Sequence, residues 1–402
     1  MWYVSTRGMA PRVDFEGALF SGYAPDGGLF MPEELPQLHI QTLRQWSALS
    51  YPSLVKELCT LFIGPELIPR DVLNDLIDRA FRRFRCREVV HLSRLRDGLN
   101  VLELWHGATY AFKDLSLCCT AQFLQYFLEK KEKHVTVVVG TSGDTGSAAI
   151  ESVQGAKNVD IIVLLPQGHC TKIQELQMTT VLSENVHVFG AGCIAQKMGL
   201  PIRLVVAVNR NDIIHRTVQR GDFSLSEAVE PTLASAMDIQ VPYNMERIFW
   251  LLSGSDSQGT RALMEQFERT QSTSLPKELH SKLLGAVTSE SVSDEAITRT
   301  MGRCWEENRY LLCPHSAVAV SYHYRQTDRQ QPSLPRCCLA PASAAKFPEA
   351  VLAAGLTPET PAEILALEFK ETRCTPMQKG DDWTLMLRNT IESLSWPQRG
   401  HS

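Results

Sequence analysis

Apolar side chains recur at helical spacing from Thr42 to Phe62 and again from Arg70 to Phe81, which predicts a mostly helical N-terminal lobe over residues 1–95. A turn-rich connector, Tyr23-Ala24-Pro25-Asp26-Gly27-Gly28-Leu29, precedes these helices. From Leu99 onward the period changes to short β-branched runs alternating with helices. Strands are expected at Val101–Leu104, Val135–Val139, Ile161–Leu165, Val186–Phe189, Leu204–Val208 and Cys338–Ala340. Helices are expected over Ser116–Glu129, after Gly146, over Lys172–Met178, over Cys193–Met198 and near Lys346–Ala354. Tyr243 to Asn308 reads as largely helical, with Ser291-x-x-Asp294 placed to start one helix. This alternation predicts an α/β fold, a parallel sheet with helices on both faces. It divides into an α/β half over 96–189 and a remainder over 190–402 with a helical C-terminal part.

Composition narrows the function classes. Forty basic against 45 acidic side chains in 402 residues leave a net charge of −5, which argues against a general nucleic-acid binder. The longest apolar runs are strand-sized, so no membrane span is expected. Arg7, Arg12, Asp14 and Glu16 interrupt any apolar leader, and the expectation is a cytoplasmic protein, with unconventional secretion as the alternative. The 11 cysteines are irregularly spaced, two pairs are adjacent (Cys118–Cys119 and Cys337–Cys338), and C-x-x-C and H-E-x-x-H are absent. No metal site is expected, and reduced, packed thiols are the better reading.

Two stretches carry candidate chemistry. In Trp105-His106-Gly107-Ala108-Thr109-Tyr110-Ala111-Phe112-Lys113-Asp114, one lysine enters an apolar helix behind an aromatic-rich segment. Desolvation there favours the neutral amine, a nucleophile toward an aldehyde. A solvated helix start at Lys113 is the competing reading. The second stretch runs from the Val135 strand into Gly140-Thr141-Ser142-Gly143-Asp144-Thr145-Gly146-Ser147 and then a helix. Three glycines at every third position let the backbone turn, and free N–H groups at a helix start attract phosphate or carboxylate. The pattern is neither of the glycine-rich nucleotide motifs, so dinucleotides and nucleoside triphosphates gain no support.

These motifs resemble the threonine synthase family, and its animal branch more closely. The resemblance rests on Tyr3-Val4-Ser5-Thr6-Arg7-Gly8, the Tyr23–Leu29 connector, Glu103-Leu104-Trp105-His106-Gly107 through Lys113-Asp114, and Thr141 to Gly146. Further matches are Lys197-Met198-Gly199-Leu200-Pro201, Asn209 to Arg216, Cys313-Pro314-His315-Ser316-Ala317-Val318 and Ala345-Lys346-Phe347-Pro348. It implies a pyridoxal 5′-phosphate enzyme of the tryptophan-synthase-β-like fold (fold type II), with parallel sheets flanked by helices. Lys113 would be its Schiff-base lysine. Asp144 would lie near the cofactor 3′-oxygen. Thr141, Ser142, Gly143, Thr145 and Gly146 would hold the substrate carboxylate. The implied substrate is a small phosphorylated amino acid, O-phosphothreonine or O-phosphohomoserine, degraded by a phospho-lyase to 2-oxobutanoate, ammonia and phosphate.

Two departures accompany the resemblance. Family members carry a long segment ending in the loop that cradles the cofactor phosphate. Here Val186-His187-Val188-Phe189-Gly190 continues directly into Ala191-Gly192-Cys193, as a skipped exon would leave it. The chain is thus read as internally truncated, with Gly190 and Gly192 left to form a reduced phosphate cup. Pro341 stands where the family places a threonine against the pyridine nitrogen, and Ser343 is the nearest substitute. His215 and His315 are read as ordinary core or surface histidines. The truncation implies impaired activity. It also opens an alternative: a non-catalytic variant acting as an interaction protein or a secreted, cytokine-like signal. No protein partner is specified by the residues.

Overall fold

The computed structural model describes residues 1–141, 143–165, 171–180, 198, 202–329, 335–372, 374–378 and 380–395. Near the N-terminus, β1 (Tyr3–Ser5) pairs antiparallel with β2 (Phe30–Pro32). The stretch from 42 to 62 holds two helices, Ile40–Trp46 and Tyr51–Phe62, not one. Ser50 caps the second by accepting from Ser53 N–H, and Pro52 in its first turn blocks continuation from the preceding helix. Arg70–Phe81 is helical as its periodicity predicts.

β3 (His91–Arg94) runs antiparallel to β4 (Leu99–Glu103). The helix predicted from Ser116 begins at Lys113 and runs to Lys131. It packs on two sides. Leu117, Ala121 and Leu128 join a core with Val137, Val139 and Ile161, whereas Cys119, Phe123 and Phe127 join a core with Leu73, Leu76, Ile77 and Phe81. A helix buried on opposite faces has apolar residues all round, as this one does. β5 (Val135–Gly140) pairs in parallel with β6 (Val159–Leu164) across the helix Asp144–Val153, followed by the helix Lys172–Thr179.

β7 (Leu204–Val208) finds its parallel partner far along the chain. Between them lies a helical subdomain, Ile213–Arg220, Met245–Leu252, Ser257–Thr270 and Lys277–Ala286, packed around Phe223, Phe249 and Phe267. The subdomain also holds an antiparallel pair, β8 (Asp222–Ser224) and β9 (Ser272–Ser274). β10 (Val287–Ser291) is the partner of β7, so Ser291 ends a strand. Ser293 caps the next helix, Asp294–Asn308, by accepting from Ala296 N–H. After the helix Pro314–Asp328, β11 (Arg336–Ala340) pairs in parallel with β4. The expected helix near Lys346 is a 3-10 turn, Ala344–Lys346, and a short helix, Pro348–Ala353; Pro348 at the helix start separates the two. The parallel α/β pairing is present, as small sheets among the described residues. The Val186–Phe189 strand and nearly all of the Cys193–Met198 helix lie outside those residues. No described helix is long and apolar enough to cross a membrane.

Candidate active site around Lys113 and Asp144

Backbone hydrogen bonds staple the loop before Lys113 onto the end of β11. Leu104 N–H donates to Ala340 O at 3.1 Å, Phe112 N–H to Pro341 O at 2.7 Å, and Ser343 N–H to Tyr110 O at 3.0 Å. Tyr110 sits at φ 59° to make the turn. The staple sets the start of the Lys113 helix beside the turn that carries Lys346.

Lys346 is fully buried. Its Nζ donates to Thr109 O at 2.9 Å and pairs with Asp144 Oδ1 at 2.7 Å. Gln174 Nε2 donates to the same Asp144 oxygen at 2.9 Å, while Gln174 and Thr171 form a reciprocal cap on their helix. Burial pushes the Asp144 carboxyl up, but Lys346, Gln174 and Lys113 together hold it below the usual carboxylate range. The Lys113 side chain is partly buried, its Nζ 4.5 Å from the Phe112 ring centroid. Burial lowers the ammonium below the ordinary lysine value; Asp144 opposes that shift and Lys346 adds to it. Such an amine is neutral more often than a solvated one and is the better nucleophile.

A second carboxylate supports the loop from behind. Asp114 accepts from Thr109 N–H at 2.9 Å and from Thr109 Oγ1 at 2.8 Å. Its carboxyl is pushed up to about 6 by burial, against the pull of those bonds. A Cβ on Gly107 would sit 2.3 Å from Asp114 Oδ2, so only glycine lets the loop close on this side chain. Thr109 thereby links Asp114 to Lys346.

The glycine turn is held from within. Thr141 Oγ1 accepts from Gly143 N–H at 3.1 Å and from Gly146 N–H at 2.9 Å, so two amides expected to face a ligand are bonded to Thr141. Gly143 adopts φ 142°, and a Cβ there would meet Gln174 Cδ at 2.6 Å. Asp144 and Gly146 are buried in the helix that follows, and Thr145 is partly exposed in its first turn. Ser142, Gly190 and Gly192 lie outside the described residues.

The remaining candidates divide. Ser343 Oγ accepts from Ala345 N–H at 3.2 Å, and the residue lines a cavity with Glu103, Tyr310, Cys313 and Ser316. Among the described residues its hydrogen bonds do not run to Lys113 or Asp144. His215 lies 3.0 Å from Ser289 Oγ, within the helical subdomain. His315, by contrast, is buried where the charges of Asp144, Lys113 and Lys346 act on it. Sequence reasoning assigned no chemistry to Lys346, Gln174, Thr109 or His315. A signal for Lys346 existed: it is the lone charge in the run Leu339 to Phe347, which predicts a buried and therefore paired ammonium.

This donor set fits the aldehyde end of pyridoxal phosphate: an amine of lowered basicity, a paired carboxylate beside it, and a glycine whose Cβ would fill the turn. The family model for the threonine synthase N terminus matches residues 2–81, and that for the threonine synthase C-terminal region matches residues 316–387. Threonine synthase-like 2 of Pongo abelii is 72% identical over 479 aligned residues, covering 100% of this chain and 99% of the relative. That span exceeds the 402 residues here, so the relative has residues with no counterpart in this chain. The crystal structure of threonine synthase from yeast superposes with a TM-score of 0.88 at 30% identity, covering 97% of this chain and 98% of that one. The PLP-bound threonine synthase from Brucella melitensis gives 0.88 at 28% identity, covering 98% and 99%. The chain belongs to the threonine synthase family and has its α/β, pyridoxal-phosphate fold type II architecture.

Proposed function

We propose that the chain holds pyridoxal 5′-phosphate on Lys113 and is a phospho-lyase for a small phosphorylated amino acid, O-phosphothreonine or O-phosphohomoserine. The observation that carries this reading is the partly buried Lys113 amine, at the start of a helix whose loop is tied to the buried Asp144–Lys346 pair, and lowered in basicity by burial. When bound, the cofactor supplies an electron sink for the charge left at the substrate Cα. Lys113 supplies the amine that holds the cofactor and then moves the Cα proton. The helix that begins at Asp144 favours a substrate carboxylate at its N-terminus, with the Gly143 and Gly146 amides spent on Thr141 Oγ1 rather than on the ligand. Ser343, whose oxygen accepts from Ala345 N–H, would be the residue to offer its hydroxyl proton to the ring nitrogen. From O-phosphothreonine, loss of the Cα proton would expel phosphate from Cβ. From O-phosphohomoserine, a Cβ proton would have to be removed as well before phosphate leaves Cγ. In either case hydrolysis of the released enamine would yield 2-oxobutanoate and ammonia.

Turnover by this chain is expected to be low. The relative has residues with no counterpart in this chain; the family resemblance implies that they are the segment ending in the phosphate loop. Charge-assisted hydrogen bonds contribute roughly 1.5–3 kcal/mol each, so losing even three weakens cofactor retention by at least roughly hundreds-fold. The same shortfall favours the second reading, a chain without catalysis that acts through protein contacts. Phosphate release from O-phosphothreonine separates the two when this chain is compared with one given a family-length segment between Phe189 and Ala191. Low release here and restored release in the longer chain support the lyase. Absence of release from both chains, even with excess cofactor, supports the second reading.

A further inference from the structure

His315 occupies the first turn of the helix Pro314–Asp328, its ring packed on Phe347 with centroids 4.6 Å apart. It is buried at 7% exposure. Nε2 accepts from Ala236 N–H at 3.0 Å. A backbone N–H requires an unprotonated acceptor, so the neutral ring carries its proton on Nδ1. Burial keeps the ring neutral, with its basicity pushed down to about 4. Nδ1 is out of contact with solvent and has no hydrogen-bond partner among the described residues. A buried donor left unmade is costly, and such groups in native proteins call for an explanation.

The surroundings supply one. Phe347, on which the ring packs, directly follows Lys346, so the imidazole lies close to the buried Lys346–Asp144 pair, whose charges act on it together with that of Lys113. Asp144 Oδ1 is already taken by Lys346 and Gln174. The unused N–H, beside a buried ammonium, favours an anionic oxygen as its acceptor.

We infer that His315 donates its Nδ1 proton in a hydrogen bond to an anionic phosphate or carboxylate oxygen of the ligand held at Lys113, and so positions that ligand. This rests on Lys113 being the ligand-holding amine. The acceptor belongs either to the cofactor or to the phosphorylated amino acid, and the same chemistry serves both. His315 gives and takes no proton in this account.

The test is the 1H–15N imidazole signal of His315 in the full chain, read before and after inorganic phosphate, pyridoxal 5′-phosphate, and cofactor with O-phosphothreonine. A downfield move of the Nδ1–H proton with cofactor alone assigns the acceptor to the cofactor, and a move only after O-phosphothreonine assigns it to the substrate. Two variants separate positioning from structure. His315→Gln can still accept from Ala236 but lacks the Nδ1 donor; it should keep its melting temperature and bind the assigned ligand at least about tenfold more weakly. His315→Asn keeps a donor near Nδ1 and loses the Ala236 bond; it should melt earlier and bind nearly normally. Affinity that follows melting temperature in both variants overturns the inference. So does a signal unmoved by all three probes while borohydride traps the cofactor on Lys113, a result that leaves the proposed function intact. Failure to trap any adduct on Lys113 overturns the proposed function instead, and His315 is then judged on inorganic phosphate alone: a shift supports the donor and no shift ends it.

Discussion

Lys346 Nζ stands 2.7 Å from Asp144 Oδ1, and both side chains are buried, on segments far apart in sequence. The pair fixes the turn after β11 against the helix that follows the glycine turn. Burial is what chiefly lowers the basicity of Lys113; Asp144 opposes that shift and the Lys346 ammonium adds to it. A buried ion pair contributes little net stability when intact, but removal of one partner leaves an uncompensated charge.

Lys346→Met should therefore destabilise the chain by about 3–5 kcal/mol, measured by urea unfolding. Lys346→Met combined with Asp144→Asn should recover much of that loss, because no charge is left unpaired. A single variant as stable as the wild type would mean that the pair does not hold the site together.

Stability against pH should show two opposed contributions. Asp114 moves from its ordinary 3.8 to about 6 in the folded chain. Between those values the folded state keeps a proton that the unfolded chain has lost, so this contribution is full below about pH 4 and is lost as pH rises through 6. His315 moves the other way, from 6.5 to about 4. There the unfolded chain binds a proton that the folded chain refuses, so this contribution is full above pH 6.5 and is lost as pH falls toward 4. Each amounts to about 1.4 kcal/mol per pH unit inside its window. Asp114→Asn should gain stability relative to the wild type as pH rises from 4 to 6, and His315→Gln should lose it. Curves parallel to the wild type would contradict both assignments.

Gly143→Val tests the turn. A side chain at φ 142° is strained, and its Cβ would fall 2.6 Å from Gln174 Cδ, displacing the amide that donates to Asp144. The backbone strain alone costs on the order of 1–3 kcal/mol. Thermal unfolding should show at least that loss, together with poorer protection of the turn by O-phosphothreonine in hydrogen exchange. Protection equal to the wild type would remove the turn from ligand binding.

The legible parts of this protein are those set by local chemistry. Strands such as Val135–Gly140 are β-branched runs, and the Arg70–Phe81 helix repeats its apolar face without a break. Lys113 is a weak candidate by spacing alone, and the family resemblance is what makes it the expected Schiff-base lysine. The break between Trp46 and Tyr51 escaped because the apolar period runs through it, whereas the Ser50 cap and Pro52 decide the boundary. Ser291 and Ser293 are both capable caps, and the choice between them is made by the register of β10 on β7. The Asp144–Lys346 pair, the Asp114–Thr109 link and the unused His315 donor were not legible. Each depends on which distant segments the parallel sheets bring together, and no spacing within one segment encodes that.

The most direct measurement of the central claim is the mass-mapped site of cofactor attachment. The full chain is incubated with pyridoxal 5′-phosphate, reduced with borohydride and digested. The account predicts a dominant adduct on Lys113, absent in Lys113→Ala even though that variant melts within a few degrees of the wild type. Its adduct should also be weaker in Lys346→Met, where the Lys113 amine regains basicity. An adduct spread over exposed lysines with Lys113 unlabelled, or labelling in Lys113→Ala equal to the wild type, would contradict it.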